Sequence, residues 1–214
     1  LLGVVQHSGE SGGIIAERNA DQGGQIFLFN VTEELNPPTE IANVITGTDG
    51  DDSIGGTSDA DILYGLDGND VLRGIQGNDL LLGGAGDDLI KGHDGDDIIV
   101  GGAGNDTIRG GAGADQFVYE TAQDGTDLIR DFELGSDLFN LTALFEGTGI
   151  TNVEDAVSQG FLILGATGNL GKPFRFSVSF DEDGSAGALN AVELASARTT
   201  GALGSNDLAD SVII

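Results

Sequence analysis

Between Gly47 and Val118, large apolar residues recur at every ninth position, separated by stretches rich in glycine and aspartate. Each of the eight nonapeptides begins with Gly and carries Asp at position 6. The apolar residues of position 8 are Ile54, Leu63, Leu72, Leu81, Ile90, Ile99, Ile108 and Phe117. Positions 7 to 9 predict a short β-strand whose middle side chain points inward. Positions 1 to 6 predict a turn, because glycine permits backbone dihedrals that other residues avoid.

A three-residue strand cannot fold alone, so the repeats are expected to stack. With two nonapeptides per coil, odd-numbered repeats form one parallel sheet, even-numbered repeats form a second, and position 8 is buried between them. The sequence therefore predicts an all-β fold, a parallel β-roll of eight nonapeptide repeats with two per coil. Residues 119–214 are expected to follow as a mostly β cap with one or two short helices.

The aspartates of position 6 would form one column along each edge of the roll. They are Asp52, Asp61, Asp70, Asp79, Asp88, Asp97, Asp106 and Asp115. Within a column the carboxylates would repeat at the strand spacing of about 4.8 Å, and bare carboxylates that close repel one another. A hard divalent cation would remove the repulsion, and carboxylate and carbonyl oxygens suit Ca²⁺. Zinc prefers His or Cys ligands, and the repeats contain only His93.

The nonapeptide segment closely resembles the RTX (repeats-in-toxin) β-roll of secreted proteases, haemolysins, lipases and alginate epimerases. The resemblance implies about six Ca²⁺ ions, three on each edge, between successive coils. It implies that position-6 carboxylates and turn carbonyls are the ligands. The position-4 glycines of these turns are Gly50, Gly68, Gly77, Gly86, Gly95, Gly104 and Gly113. Asp59 replaces this glycine in the second repeat, so that turn departs from the pattern.

The flanking segments do not follow the period of nine. Residues 1–35 are expected to be the end of an upstream domain, with a strand around Ile26–Val31, and residues 36–46 a linker that contains Pro37 and Pro38. Residues 119–214 are assigned to a C-terminal cap and secretion-signal region. A capping box at Thr151–Glu154 predicts a short helix to about Gln159. Two apolar runs, 161–164 and 174–180, predict antiparallel strands.

Two further segments resemble parts of RTX proteins. Asp127–Leu141 is similar to the stretch that follows the repeats, although Asn140 stands where the family usually has aspartate. The C-terminal Asp210–Ile214 is similar to the uncleaved signal of type I secretion, whereas its composition alone predicts an ordinary final strand. The acidic Asp181–Ser185 could be a calcium loop, but a hairpin turn is the better interpretation because Val192 occupies the twelfth position of an EF-hand.

Composition narrows the function classes. With 36 acidic and 8 basic residues the chain carries a formal charge of −28, which argues against nucleic acid and anionic membranes as partners. No apolar run is long enough to predict a membrane span, and there is no cysteine. Only two histidines are present, His7 and His93, and neither has a catalytic arrangement around it, so an active site would have to lie upstream of this fragment.

The expected function is a calcium-binding, calcium-induced folding and type I export module at the C-terminus of a larger secreted bacterial protein. Its partners would be Ca²⁺ and the type I secretion apparatus, in an extracellular or cell-surface location. Two alternatives remain, a polyanionic-glycan-binding module attached to an extracellular enzyme and the tail of a secreted hydrolase. The candidate site for an acidic glycan is the outward column Arg73, Lys91 and Arg109 of the odd repeats. The apolar outer face of the even repeats is expected to be covered.

Overall fold

The computed structural model of the chain describes residues 13–16, 27–30, 43–122, 124–159, 161–167, 175–180, 192–199 and 211–214. The expected acidic turn at 181–185 and the His7 segment lie outside these residues. The chain divides into two compact units, Leu1–Thr39 and Glu40–Ile214. In the first unit, β1 (Gly13–Ala16) and β2 (Phe27–Asn30) form an antiparallel pair. No helix among the described residues is long and apolar enough to cross a membrane.

The second unit is built on two parallel sheets, as the period of nine predicts. The sheet of the even repeats contains β3 (Asn43–Thr46), β5 (Asp61–Asp67), β7 (Leu80–Ala85), β9 (Ile98–Ala103), β11 (Gln116–Val118), β13 (Leu138–Asn140) and β17 (Val212–Ile213). The sheet of the odd repeats contains β4 (Ser53–Gly55), β6 (Val71–Gln76), β8 (Leu89–Asp94), β10 (Thr107–Ala112), β12 (Asp127–Phe132) and β16 (Val192–Thr199). These strands pair with one another in parallel, residue i with residue i+18 within the repeats.

The strands extend further than the three residues that the sequence predicts. The strand β6 runs on through Ile75 and Gln76, which pair with His93 and Asp94 of the next coil. Because each coil has the same length, the turn backbone of one coil faces the equivalent backbone of the next, and pairing continues into the turn. The roll also begins at β3, so its first strand lies within the stretch 36–46 that the sequence analysis assigns to a linker.

The position-8 side chains fill the space between the two sheets. All eight are at most 7% exposed, and Leu63, Leu72 and Phe117 are fully buried. At the C-terminal end the column continues with aromatic rings: Phe132 stacks on Phe139 at 4.9 Å between centroids, and Phe117 contacts both. The core of the roll therefore passes without interruption into the core of the cap.

The cap consists of β-strands and two short helices, as expected. Its helices are α1 (Thr142–Phe145) and α2 (Val153–Ser158), and the side chain of Asn152 caps α2 by accepting from the N–H of Asp155. The N-cap of α2 is therefore Asn152, one residue after Thr151, where the predicted capping box begins. The strands β14 (Leu162–Thr167) and β15 (Arg175–Phe180) are antiparallel and extend the odd sheet beyond β16.

Candidate metal centre

The carboxylates of position 6 lie inside the turns and not on the surface. From Asp61 to Asp115 each is at most 3% exposed. One oxygen of each carboxylate joins two coils: Oδ1 of Asp79 accepts from the backbone N–H of Asp61 at 2.9 Å, and Oδ1 of Asp97 accepts from Asp79 at 2.8 Å. The same contact recurs on the other edge, where Oδ1 of Asp88 accepts from Asp70 at 2.7 Å. One oxygen of each of these carboxylates therefore accepts a hydrogen bond that holds two coils together.

The other oxygen, Oδ2, has no hydrogen-bond partner in six of these residues. The six buried orphan oxygens belong to Asp70, Asp79, Asp88, Asp97, Asp106 and Asp115. An isolated ionised carboxylate in such a position is strongly unfavourable, so each of the six turns lacks one positive partner. Three of them lie on each edge of the roll, which is the number per edge that the RTX resemblance implies.

The position-6 carboxylate packs directly against the glycine at position 1 of its own turn. A methyl group added to Gly65 would collide with Oδ2 of Asp70 and with the carbonyl oxygen of Gly83 in the next coil. On the other edge, Gly74 and Gly92 each face an equivalent pair, the carboxylate of their own turn and a carbonyl oxygen of the next coil. Two oxygens, one charged and one from the backbone, thus come close together beside each of these glycines. Turn carbonyls were expected as ligands from the sequence, but only the position-4 glycines were named.

The first two turns are different, because threonine closes them. Oδ2 of Asp52 accepts from the N–H of Thr48 at 2.5 Å and from its hydroxyl at 2.8 Å. Oδ2 of Asp61 accepts from the N–H of Thr57 at 2.5 Å and from its hydroxyl at 3.0 Å. These two aspartates are among the expected metal ligands, and the protein itself supplies the partners of their outer oxygens.

The backbone at position 2 separates the closed turns from the open ones. In each turn with an orphan oxygen this residue has a positive φ, whereas Thr48 and Thr57 do not. The six residues are Leu66, Ile75, Gly84, His93, Gly102 and Gly111. Three of them are not glycine, and a side chain in this region of φ is strained by about 1–2 kcal/mol. Strain retained at such positions is a recognised mark of functional turns.

The position-4 glycines other than Gly50 also have a positive φ. Gly68 and Gly77 have φ values of 120° and 102°, and the carbonyl oxygens of both face the position-4 glycine of the next coil. A side chain on that next glycine would collide with the carbonyl oxygen. Apart from Gly50, which has nothing within 4 Å of an added Cβ, the position-4 glycines are thus required for close stacking of the coils.

A second ladder, at position 5, was not foreseen from the sequence. The N–H of Asn69 donates to Oδ1 of Asp51, the N–H of Asp87 to Oδ1 of Asn69, and the N–H of Asn105 to Oδ1 of Asp87, each at 2.8 Å. Along this edge Asp and Asn alternate, so that no two charged side chains of the column are adjacent. The alternation is visible in the sequence and could have indicated the ladder.

Two carboxylates outside the nonapeptides extend the position-6 columns. Oδ1 of Asp127 accepts from the N–H of Asp106 at 2.9 Å, and Oδ1 of Asp137 accepts from Asp115 at 3.2 Å. Both are nearly fully buried. They follow Asp106 and Asp115 by 21 and 22 residues instead of 18, so they do not fit the period of nine. The signal that could have found them is Asp followed by an apolar residue two positions on, as in Asp127-Leu128-Ile129.

Two open turns and the first closed turn also differ in their electrostatics. Burial, together with the neighbouring carboxylates of the column, raises the pKa of Asp97 to about 8 and that of Asp79 to about 7. Hydrogen bonds from Thr48 instead lower the pKa of Asp52. The open turns of Asp79 and Asp97 therefore hold carboxylates whose charge the protein does not compensate, while the first turn compensates its own.

The donor set fits a hard cation. Carboxylate and carbonyl oxygens come close together beside the position-1 glycines, and these are the ligands that Ca²⁺ takes in flexible geometry. Within the described ranges no three carboxylate or imidazole side chains converge to hold a metal. A cation in an open turn would therefore need backbone carbonyls in addition to the position-6 aspartates.

Comparison with known proteins agrees with this chemistry. Residues 39–125 match the family model of the RTX calcium-binding nonapeptide repeat in four overlapping copies, at 39–72, 55–90, 73–108 and 91–125. This segment is a β-roll of the RTX type. No curated protein matches the chain.

Several solved structures resemble the chain that contains this RTX roll. The R3 subunit of the AlgE6 mannuronan C5-epimerase of Azotobacter vinelandii is 24% identical, over 78% of this chain and 80% of that one, with a TM-score of 0.43. The R2 subunit is 27% identical over 78% and 90%, with a TM-score of 0.43. The extracellular lipase LipA of Serratia marcescens is 16% identical over 82% of this chain and 40% of its own, with a TM-score of 0.31.

The outer faces of the two RTX sheets differ, as expected. On the even sheet Ile62, Leu80 and Val100 are at most 6% exposed. On the odd sheet Arg73 and Arg109 each pair in register with Lys91. The three cations thus occupy one row across adjacent strands, and Arg109 is exposed while the other two are partly exposed.

Proposed function

We propose that the roll binds Ca²⁺ in its six open turns and that this binding drives its folding. The observation that carries the proposal is the set of six buried carboxylate oxygens without a partner. A folded chain that leaves six such oxygens uncompensated is unstable, and a cation that binds only the folded form supplies the missing stabilisation. The count equals the expected six, but the open turns lie one coil nearer the C-terminus than the expected gaps, because Thr48 and Thr57 close the first pair.

Each part of an open turn has a separate role. In the four open turns that another nonapeptide follows, the Oδ2 of the position-6 aspartate and the carbonyl of the next coil's position-1 glycine would hold the ion, which supplies positive charge and further coordination. The Oδ1 of the same aspartate keeps two coils in register through its backbone hydrogen bond. The residue at position 2 holds the turn open by its positive φ. Mg²⁺ would substitute poorly, since it requires a tighter octahedron and loses water reluctantly.

The same chemistry suits export through a narrow channel. Inside the cell, where free Ca²⁺ is scarce, the charge of −28 would keep the module loosely folded. Outside, millimolar Ca²⁺ would fill sites of the extracellular affinity class, about 10⁻⁴–10⁻³ M. The C-terminal residues proposed as a type I signal include β17, which pairs with β13. Deletion of residues 211–214 should stop export by a type I system while Ca²⁺ binding persists.

Equilibrium dialysis against Ca²⁺ tests the central proposal. The full chain should take up about six ions, and fewer than three would contradict the assignment of the six open turns. Replacing Thr48 and Thr57 by glycine should leave the first two turns without their hydroxyl partners and raise the number bound. No uptake at about 10 mM Ca²⁺, well above the affinity range of extracellular modules, would refute calcium binding itself.

Binding of an acidic glycan is a second candidate function, carried by the row of Arg73, Lys91 and Arg109. Arg130 follows in β12, one residue after Ile129, which pairs with Ile108, and its side chain is exposed. Half of the chain's eight cations therefore lie along one face of a strongly acidic protein, which suits a linear polyanion. Replacing the first three by glutamine should abolish retention on an alginate column. Exchange of Lys for Arg and Arg for Lys at the same positions is the charge-matched control, and equal retention of all three proteins would exclude this function.

A further inference from the structure

Two neighbouring open turns offer a cation the same oxygens and differ at position 2. Beside Gly74 lie Oδ2 of Asp79 and a carbonyl oxygen of the next coil, and beside Gly83 lie Oδ2 of Asp88 and the equivalent carbonyl oxygen. Both aspartates are at most 3% exposed, and their Oδ1 atoms accept from a backbone N–H at 2.9 and 2.7 Å. Position 2 is isoleucine in the first turn and glycine in the second. A difference between these turns in calcium binding would therefore have to come from the backbone at position 2.

The position-2 residues of the six open turns fall into two groups by their φ. The three that carry a side chain have φ values of 81–90°, whereas the three glycines have values of 95–117°. The first group is Leu66, Ile75 and His93, in the turns of Asp70, Asp79 and Asp97, and the second is Gly84, Gly102 and Gly111, in the turns of Asp88, Asp106 and Asp115. At each of the three glycines an added Cβ would collide with the position-2 carbonyl oxygen of the preceding coil. The wider angle therefore depends on glycine.

A side chain at position 2 has a conformational cost that depends on its type. Glycine takes a positive φ readily, histidine is found there more often than most residues, and a β-branched residue such as Ile75 is a clear outlier. Burial does little to offset this cost, because Ile75 is 43% exposed and His93 is also exposed. The cost should therefore rise from glycine through histidine and leucine to isoleucine.

We propose that the residue at position 2 sets the Ca²⁺ concentration at which its own turn fills. The inference rests on the proposed calcium function, because it assigns a different affinity to turns with the same ligands. In a chain that folds as it binds, the strain at position 2 is absent before binding and present afterwards, so it lowers the apparent affinity of that turn. Each coil of a solenoid contacts only its neighbours, which allows the turns to differ. The turn of Asp79, with Ile75 at position 2, should require more Ca²⁺ than the turn of Asp88.

The amides of the position-4 glycines report on each turn separately. In the folded roll the N–H of Gly77 donates to the carbonyl of Asp94 at 3.0 Å, and that of Gly86 donates to the carbonyl of Ala103 at 2.8 Å. Each amide is fixed only when its turn has stacked on the next coil. A Ca²⁺ titration of the isotope-labelled full chain, followed by proton–nitrogen correlation spectra, therefore gives one midpoint for each turn. The signal of Gly86 should appear at about one tenth of the Ca²⁺ concentration that Gly77 requires, which corresponds to about 1.4 kcal/mol.

Ile75→Gly removes the strained side chain and leaves every proposed ligand of the turn in place. It should lower the midpoint of the Gly77 signal by about tenfold, to that of Gly86. Val44→Gly is the matched control, since Val44 is also an aliphatic, β-branched side chain, is 50% exposed in β3 and has no positive φ. It should not lower the Gly77 midpoint, because glycine at this position only adds freedom to the unfolded chain.

The outcomes separate this inference from the proposed function. Equal midpoints for Gly77 and Gly86 in the wild type, or an Ile75→Gly midpoint no lower than that of Val44→Gly, would overturn the role of position 2 while leaving calcium-coupled folding intact. Glycine signals that do not depend on Ca²⁺ would instead overturn the proposed function. If Ile75→Gly does not fold in Ca²⁺, the turn depends on its side chain and the inference is wrong.

Discussion

Replacing Asp97 by asparagine isolates the role of an orphan oxygen. Asp97 is fully buried, its Oδ1 accepts from the N–H of Asp79 at 2.8 Å, and its Oδ2 has no partner. Asparagine can keep the first contact through its amide oxygen while removing the charge. The preceding residue, Asp96, is exposed, and its Oδ1 accepts from the N–H of Ala114 at 2.8 Å. Asp96→Asn is therefore a control with the same chemical change one residue away.

The expected effect has opposite signs without and with calcium. Burial raises the pKa of Asp97 to about 8, so the ionised carboxylate destabilises the calcium-free fold, and Asp97→Asn should stabilise that fold. With calcium the variant lacks one site. A site at about one hundred times its Kd contributes about 2.7 kcal/mol to the free energy of unfolding. The stabilisation that calcium gives Asp97→Asn should therefore be smaller than in the wild type by about that amount.

Circular dichroism in chelator and urea unfolding in calcium measure the two signs. In chelator, where the chain is largely unordered, the folded fractions of the wild type, Asp97→Asn and Asp96→Asn are compared from their far-UV spectra. In about 10 mM Ca²⁺, well above the Kd range of extracellular sites, each protein is unfolded with urea and the free energies are compared by linear extrapolation. Asp96→Asn should follow the wild type within about 0.5 kcal/mol, as surface substitutions do. If the two variants gained the same stability from calcium, the assignment of Oδ2 at position 6 as the metal-facing oxygen would be wrong.

Three further predictions test the core, the strained turns and the pH dependence. Ile90→Asp places an unpaired charge in the fully buried column and should prevent folding at every Ca²⁺ concentration, so a folded far-UV spectrum would contradict the inward assignment. Ile75→Gly relieves a φ of 90° at a 43% exposed side chain and should raise the unfolding free energy in Ca²⁺ by about 1 kcal/mol, whereas a loss would show that the side chain supports the turn. The folded pKa values of Asp79 and Asp97 are raised to about 7 and 8 from 3.8, so protonation stabilises the calcium-free fold fully below about pH 4, and this stability is lost as the pH rises through 7 to 8. The chelated chain should gain β signal in circular dichroism between pH 8 and pH 4, and a signal that falls over that range would refute the sign.

The period of nine predicted the sheets and the core because it coincides with the geometry of the coil. A residue such as Leu81 recurs at the same place in every repeat, and burial of that column is the only arrangement that removes all eight side chains from water. The sequence also predicted two columns of aspartates, because position 6 is never another residue. These features depend on spacing alone and need no knowledge of side-chain rotation.

What the period did not predict depends on the backbone of individual turns. Thr48 and Thr57 close their turns because their N–H groups point at the carboxylate, and this requires a position-2 φ that differs from that of Leu66 or Ile75. The ends of the roll were missed for another reason. Asp127 and Asp137 follow longer connections, so they extend the aspartate columns in the structure although the period of nine does not reach them in the sequence.

The most direct test of calcium-coupled folding is a far-UV circular dichroism titration of the full chain against Ca²⁺. With chelator at neutral pH, the spectrum should be largely that of an unordered chain, because the six orphan carboxylate oxygens oppose folding. Between about 0.1 and 10 mM Ca²⁺, the range of extracellular modules, it should change cooperatively to a β spectrum, and Mg²⁺ at the same concentrations should not produce the change. A β spectrum in chelator that Ca²⁺ leaves unaltered would contradict the account.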